Sequence, residues 1–573
     1  MNWHKRIAFL GLLVSVLTIP IRSAARDNLS VLTTRMPLAR QGSNYKFRIY
    51  PDGGTAPYTW SVTGLGASGL TASSDGTISG RPERYGTYNL TVTVTDANNQ
   101  KAESFLVLTV YDGGLPGAIP EYFFGLHVHS WGSDWPNVSS QTNPFGVVRL
   151  WDDGTAWQNI EKVQGQRDWS LLDKYTKTAQ ANGVGVLYEV ALTPTWASSD
   201  PEDNSCREAP GSCDAPADWS TFDDFMTALV QRYTTTGVQT GCTEADPRCN
   251  GIIRTYELWN EPFVPREWNP KQKKYNYDPK QTMEGFVKMT QDAKRIINSI
   301  DPGAIVASPS GNIGFFTQYW AAQGAITNFD RVDLHAYPIH EFPVPEGMIN
   351  QTRVVYDLMQ KYNITSPLMN TEGSWSQWAP PTDAGKAAYA ARFVLLEAAM
   401  RMRKSMWYLW TGTAALWNPN EHPGILTAAG AAYQQVAQWM LGANMDSSGC
   451  LDKTGKFQDN IYKCMGLNGT YVMNFSRRNG YKGQIVWYVK TIPSGGINWD
   501  ATRPYKVPQG FSQYEDLNGN IHRANAEVTV GASPILLQNK SIHGKDGVKF
   551  KNQEPIATAG GVNNREDPEW MEP

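Results

Sequence analysis

Three patterns of apolar and polar positions follow one another along the chain. Residues 45–50, 58–62 and 88–96 alternate the two kinds of side chain, a period of two that puts one face of a strand in a core and the other in water. Gly53 and Gly54, Asp75 and Gly76, and Asn98 and Asn99 supply turns between these runs. The pattern predicts an all-β module over residues 27–113.

Past a Gly- and Pro-containing linker at 111–117, the period changes. Short apolar runs at 123–129, 146–152, 183–192, 252–260, 304–308, 331–337, 368–371 and 405–410 read as strands. Between them, residues 169–182, 219–233, 282–300, 353–362 and 384–402 repeat apolar positions three or four apart, as helices do. Parallel strands need crossover connections, and eight such units over residues 118–430 predict a closed (β/α)8 TIM barrel. Alternation then returns at 469–475 and 484–490 around Asn479 and Gly480, a hairpin signal, and continues through 514–520 and 526–537. The expected architecture is multidomain: the barrel flanked by an N-terminal β-sandwich and, over 442–540, an accessory C-terminal β-sandwich. The polar tail at 544–573 is expected to be disordered.

The first 25 residues read as an export signal. His4, Lys5 and Arg6 precede the apolar run 7–19, and Ser23, Ala24 and Ala25 suit a cut before Arg26. The run is short for a membrane span, and no later one reaches eighteen apolar residues, so a secreted, periplasmic or cell-surface protein is expected, an uncleaved anchor being the alternative. Six cysteines fit that compartment. They admit fifteen pairings, of which the local closures Cys206 with Cys213, Cys242 with Cys249 and Cys450 with Cys464 are preferred over a metal site, since no Cys-x-x-Cys or His-rich tract accompanies them. A net charge of −3 with mixed signs argues against a nucleic-acid partner. The 21 Trp, 26 Tyr and 19 Phe suit the flat faces of sugar rings, although large cores use them too.

Candidate chemistry sits at strand ends. The fourth barrel strand stops at Asn260, Glu261 and Pro262, and the seventh at Glu372. Both ends open on the C-terminal face, where loops build active sites. Two carboxyl groups facing each other there can divide glycoside hydrolysis, with retention at a separation of about 5 to 5.5 Å and inversion beyond about 6.5 Å. An isolated strand-end Glu before Pro can equally cap the next helix; it is the pairing that points to chemistry.

The residues Trp259 to Pro262, then His335, Ala336 and Tyr337, then Thr371 to Trp375, and Trp410 resemble the retaining glycoside hydrolases of clan A. Gly125 to His129, Val148 to Asp152, and Thr193 to Trp196 look most like family 39, the group of β-xylosidases, α-iduronidases and exopolysaccharide-cleaving enzymes. Gly53 to Trp60, Gly76 to Pro82 and Gly86 to Asp96 resemble the immunoglobulin-like modules of secreted bacterial proteins. The first resemblance implies a carbohydrate substrate, no cofactor, Glu261 as general acid/base and Glu372 as nucleophile. It implies that Asn260 bonds a sugar 2-hydroxyl, that Tyr337 bonds Glu372 and that His335 sits beside the pair. Arg149, His127 and His129 are expected to contact substrate or nucleophile, and Trp375 and Trp410 to stack on sugar rings. Donors around Glu372 would favour its ionised form, while an apolar wall behind Glu261 would raise its pKa. Glu189, inside strand three, reads as a supporting contact. The rival from another class is a carbohydrate-binding or adhesion protein on a barrel that has lost its chemistry.

Overall fold

The computed structural model describes residues 28–111, 118–129, 145–234, 252–264, 268, 279–323, 329–338, 343–375, 379–420, 425–445, 469–492 and 496–541. The expected signal segment, the tail, and the pairs Cys242 with Cys249 and Cys450 with Cys464 lie outside the described residues. Cys206 and Cys213 form the expected disulfide.

The N-terminal module is a sandwich. Strands Ala39–Arg40, Lys101–Tyr111, Gly86–Thr95 and Thr59–Thr63 make one sheet, and Tyr45–Arg48, Thr77–Gly80 and Leu70–Ala72 the other. Alternating Leu90, Val92 and Val94 face inward against Phe47, Ile78 and Trp60, all buried. Trp60 is therefore packed inside the module, where a large ring contributes most to a small core.

The barrel strands are β1 (Phe124–His127), β2 (Val147–Leu150), β3 (Gly185–Val190), β4 (Thr255–Leu258), β5 (Ile305–Ala307), β6 (Val332–Asp333), β7 (Leu368–Gly373) and β8 (Ser405–Trp407). Each pairs in parallel with its sequence neighbours, and β1 pairs with β8. Parallel bridges from Ala307 to Arg331 and from Gly311 to Leu334 join β5 to β6 and complete the circle. Outside run the helices α1 (Ser170–Ala181), α2 (Trp219–Arg232), α3 (Pro279–Ile300), α4 (Ile313–Gln323), α5 (Met348–Lys361), α6 (Asp383–Ala399) and α7 (Ala428–Met440). Asp218, Thr382 and Thr427 cap the N-termini of α2, α6 and α7 with side-chain oxygens.

Strand alternation stacks the barrel interior in layers. Val147, Leu187, Ala307, Met369 and Met406 form a closed apolar floor. Two residues further along three of these strands, and so pointing the same way, come Arg149, Glu189 and Thr371. The ring above the apolar floor is thus ionic and buried, which is tolerable only because its members pair with one another.

The N-terminal module docks on the barrel's opposite pole. Asn182 Oδ1, just before β3, accepts from Thr34 N and Thr34 Oγ1 at 2.9 Å each and from Arg35 N at 3.2 Å. Leu38 N donates to Glu121 Oε2 at 3.4 Å, and the Arg35 guanidinium lies 4.1 Å over the Phe145 ring, just before β2. The C-terminal module, whose main sheet is built on the hairpin Thr470–Arg477 and Tyr481–Tyr488, packs on the barrel flank. There Trp487 Nε1 donates to Glu346 Oε1 at 2.8 Å, and Arg392 of α6 reaches the same oxygen at 3.1 Å.

Candidate active site

β4 and β7 deliver the two glutamates by different local means. After β4 the chain turns sharply, with Trp259 at φ 85° and Glu261 at φ 38°, a region that non-glycine residues enter at a cost of about 1–3 kcal/mol. Ser310 holds this turn: its N donates to Trp259 O at 3.1 Å, and its Oγ accepts from Glu261 N at 2.9 Å. On β7 the pairing with β8 shifts between Asn370 and Gly373, so one extra residue bulges at Thr371 and Glu372. The bulged stretch is pinned by side chains instead. His127 Nε2 donates to Thr371 O at 2.9 Å, Thr371 Oγ1 donates to Asp333 Oδ2 at 2.6 Å, and Glu372 N donates to Asn370 Oδ1 at 3.3 Å.

The side chains of Glu261, His335 and Glu372 converge, each offering an atom within 4.8 Å of the others. His335 Nδ1 lies 2.8 Å from Glu261 Oε1. Glu372 receives one donor on each oxygen, Tyr337 Oη on Oε1 at 2.9 Å and Arg149 Nη1 on Oε2 at 2.8 Å. Arg149 is the hub. Its Nε and Nη2 grip Glu257 at 2.7 and 2.6 Å, and Nη2 also reaches Glu189 and, at 3.0 Å, Asn260 Oδ1. Although burial opposes its charge, Glu189, Glu257 and Glu372 together raise its pKa well above the ordinary arginine value, so the guanidinium stays charged.

The proton distribution differs from the one expected from sequence. Burial pushes Glu261 up, but the hydrogen bond and charge of His335, with the charge of Arg149, outweigh it and leave its pKa lowered. Glu372 ends raised: burial and the Glu261 charge outweigh His335, Arg149 and Tyr337. The apolar wall expected behind Glu261 is occupied by His335, an ionisable ring, which is why the expectation reverses. Nearby, burial and the charge of Glu257 push Asp333 well above its ordinary value, and it accepts from Thr371. Burial and Arg149 lower His127, which is therefore a neutral ring with Nε2 protonated toward Thr371.

The remaining expected site residues divide. His129 Nε2 lies 2.8 Å from Asp152 Oδ1, and this partner overcomes burial to raise its pKa. Tyr408 Oη donates to Asp152 Oδ2 at 3.2 Å, and its ring packs on both His127 and His129. Asn260 faces Arg149 and is buried, as is His127. Trp410 and Trp375 are 2% and 3% exposed. Trp410 stacks on Trp417 at 5.4 Å, while Trp375 packs edge-on to Tyr389 and Trp407 and donates to Thr413 O. Neither presents an open ring to a sugar here; both are wall residues, since the loops after β8 fold over them. Sequence reasoning did not single out Glu257, Asp333, Asn370 or Tyr408. Their partners lie tens to hundreds of residues away, and the only available signal was a carboxylate or amide in an otherwise apolar strand.

A cavity of about 90 Å³ lies beyond the ends of β2 and β3, bounded by Trp151, Asp152, Asp153, Gln158, Glu189 and Glu208. Of the ionic ring it touches Glu189, and Glu208 comes from the loop closed by the Cys206 to Cys213 disulfide. Among the described residues four clusters have the spacing to hold a cation. The disulfide takes the sulfurs of the group Asp203, Cys206, Cys213 and Asp214, and Glu257, grouped with Asp333 and His335, is already gripped by Arg149, which leaves His127 with His129 and Asp152, and Glu261 with His335 and Glu372. Arg149 stands 3.4 Å from His127 and 2.8 Å from Glu372, and its fixed positive charge opposes a metal at either.

Residues 29–111 match the family model described as "Putative Ig domain". No curated protein matches the sequence. Among solved structures, the chain is similar to a family 39 glycoside hydrolase from the gut symbiont Bacteroides cellulosilyticus WH2, at 15% identity and a TM-score of 0.51 over 88% of this chain and 100% of that one. A glucosidase from Croceicoccus marinus (15% identity, 74% of this chain and 97% of that one, TM-score 0.45) and a family 44 xyloglucanase from Paenibacillus polymyxa (12%, 74% and 96%, TM-score 0.42) are more distant in fold. The chain thus has the fold of a family 39 glycoside hydrolase, a (β/α)8 barrel between an N-terminal Ig domain and a C-terminal β-module.

Proposed function

We propose that the protein is a secreted retaining glycoside hydrolase that cleaves a poly- or oligosaccharide by double displacement. The observation that carries this reading is the approach of Glu261 and Glu372 to within 4.8 Å at the C-terminal mouth of the barrel, too close to admit a water between carboxylate and sugar. Glu372 is the nucleophile: Tyr337 and Arg149 orient its two oxygens and stabilise the charge it carries before attack and regains on release. Glu261 is the acid/base, and it shares one proton with His335 across 2.8 Å. That proton moves to the leaving oxygen as the glycosidic bond breaks, and a water returns one when the glycosyl-enzyme is hydrolysed. On this reading Asn260, held by Arg149, meets a sugar hydroxyl beside the anomeric carbon.

The test is incubation with a panel of plant and bacterial polysaccharides, with NMR following the anomer released first. Product of the same configuration as the substrate is expected. Inverted product would remove Glu372 from the nucleophile role, and binding without hydrolysis of any glycan would favour the adhesion reading.

A further inference from the structure

We infer that Glu397, on the outside of the barrel, is a positioning residue for Glu372, acting through the amide of Asn370; this rests on the role proposed for Glu372. The bulge in β7 takes the Glu372 N–H out of the ladder with β8. That N–H is instead satisfied by Asn370 Oδ1 at 3.3 Å, and the same oxygen accepts from Ala336 N at 3.1 Å, at the tip of β6 between His335 and Tyr337. One amide oxygen therefore ties together the two strand tips that carry three of the site's side chains.

An asparagine amide can sit either way round. Flipped, Asn370 would turn its NH2 toward two N–H groups, leaving both unsatisfied in a fully buried place. Glu397 of α6 holds the working orientation from the other side of the amide: its Oε1 accepts from Asn370 Nδ2. Glu397 is itself fully buried, and burial pushes its carboxyl up to about 8 against the pull of Ser405 and Asn370, so it is a neutral acid under ordinary conditions. The close fit leaves no slack: a Cβ on Gly373 would meet Asn370 Nδ2 at 2.8 Å and Phe393 Cζ at 2.5 Å. A buried glutamic acid is a costly way to fill a helix–sheet interface, and a methionine would pack there without that cost. Holding the Asn370 amide is a role that methionine cannot take.

The experiment compares Glu397→Gln, which keeps an acceptor, with Glu397→Met, which keeps the volume and removes it. Hydrogen exchange on the full-length protein reads the amides of Glu372 and Ala336 directly. Faster exchange at both in Glu397→Met, with protection retained in Glu397→Gln, is expected. On a turned-over substrate, Glu397→Met should lower kcat by up to about 100-fold with KM nearly unchanged, as misplacement of a reacting group does, while Glu397→Gln stays near wild type. Unchanged exchange at both amides in a folded Glu397→Met, or equal kcat for the two variants, overturns the inference. If Glu397→Met does not fold, loss of amide protection in Glu397→Gln does so. Because exchange needs no substrate, a wild type that hydrolyses nothing would reject the proposed function while leaving the Glu397 to Asn370 link to be decided by exchange alone.

Discussion

At the scale of single residues, the site is a contest for protons around one arginine. Arg149 faces three carboxylates, Glu189, Glu257 and Glu372, and only Glu372 is also open to the mouth. Glu372→Ala should abolish turnover, with azide restoring part of the rate and giving inverted product, which NMR of the released sugar would show. Glu261→Ala should slow substrates with poor leaving groups far more than activated aryl glycosides; equal losses on both would take the acid role away from Glu261. Since burial raises Glu372, its ionised form is lost on acidification at a higher pH than for an ordinary carboxyl group. Tyr337→Phe removes a donor that favours the ionised form and should move the acid limb of kcat/KM to still higher pH. A limb that stays put would mean the hydrogen bond has little hold on the proton. The pair at 261 and 372 was legible in the sequence because each ends a short apolar run, and the contact from Arg149 to Glu372 was anticipated. The reversed proton preference was not, since it depends on which ring stands behind Glu261, a relation between β4 and β6 that spacing cannot express.

At the scale of elements, the strands end where their chemistry begins. The sixth apolar run, expected as strand over 331–337, keeps ladder pairing at Val332–Asp333 with single bridges at Arg331 and Leu334, and only 335–337 leave the sheet, carrying His335 and Tyr337 over the mouth. Alternation could not show this, because the run stays apolar while its hydrogen bonds change partners. Trp375 and Trp410, expected to stack on sugar, are nearly buried against other rings, and aromatic composition does not tell a ring that meets sugar from one that lines a wall. β7 is the most constrained strand, and Gly373→Ala should cost activity and stability together by forcing Phe393 and Asn370 apart, checked by thermal melting alongside kcat. Glu397 also carries a stability signature. Its folded pKa of about 8 lies above the ordinary 4.5, so the folded state binds more protons between those values, and its contribution to stability falls as pH rises through that window. Glu397→Gln should flatten the loss of stability over that range in denaturant titrations at successive pH values; an unchanged slope would place the titrating group elsewhere.

For the whole molecule, the three-part order of period-two, mixed and period-two segments was readable along the chain, but the way the parts meet was not. Asn182, which closes α1, looked like any helix-ending residue, yet it receives three hydrogen bonds from Thr34 and Arg35. Asn182→Ala should destabilise the protein by about 1–3 kcal/mol, since it strands buried donors, and calorimetry would show whether the Ig domain then melts apart from the barrel. Glu121, Phe145, Gln180 and Asn182 all precede barrel strands, so the Ig domain is seated under the barrel's base, away from the glutamates. A lamp fixed by its foot still lights the room. Protein captured on a bead through its N-terminus should hydrolyse long, bulky chains as readily as the free form, whereas capture through the loop bearing Glu208 should spare only short ones.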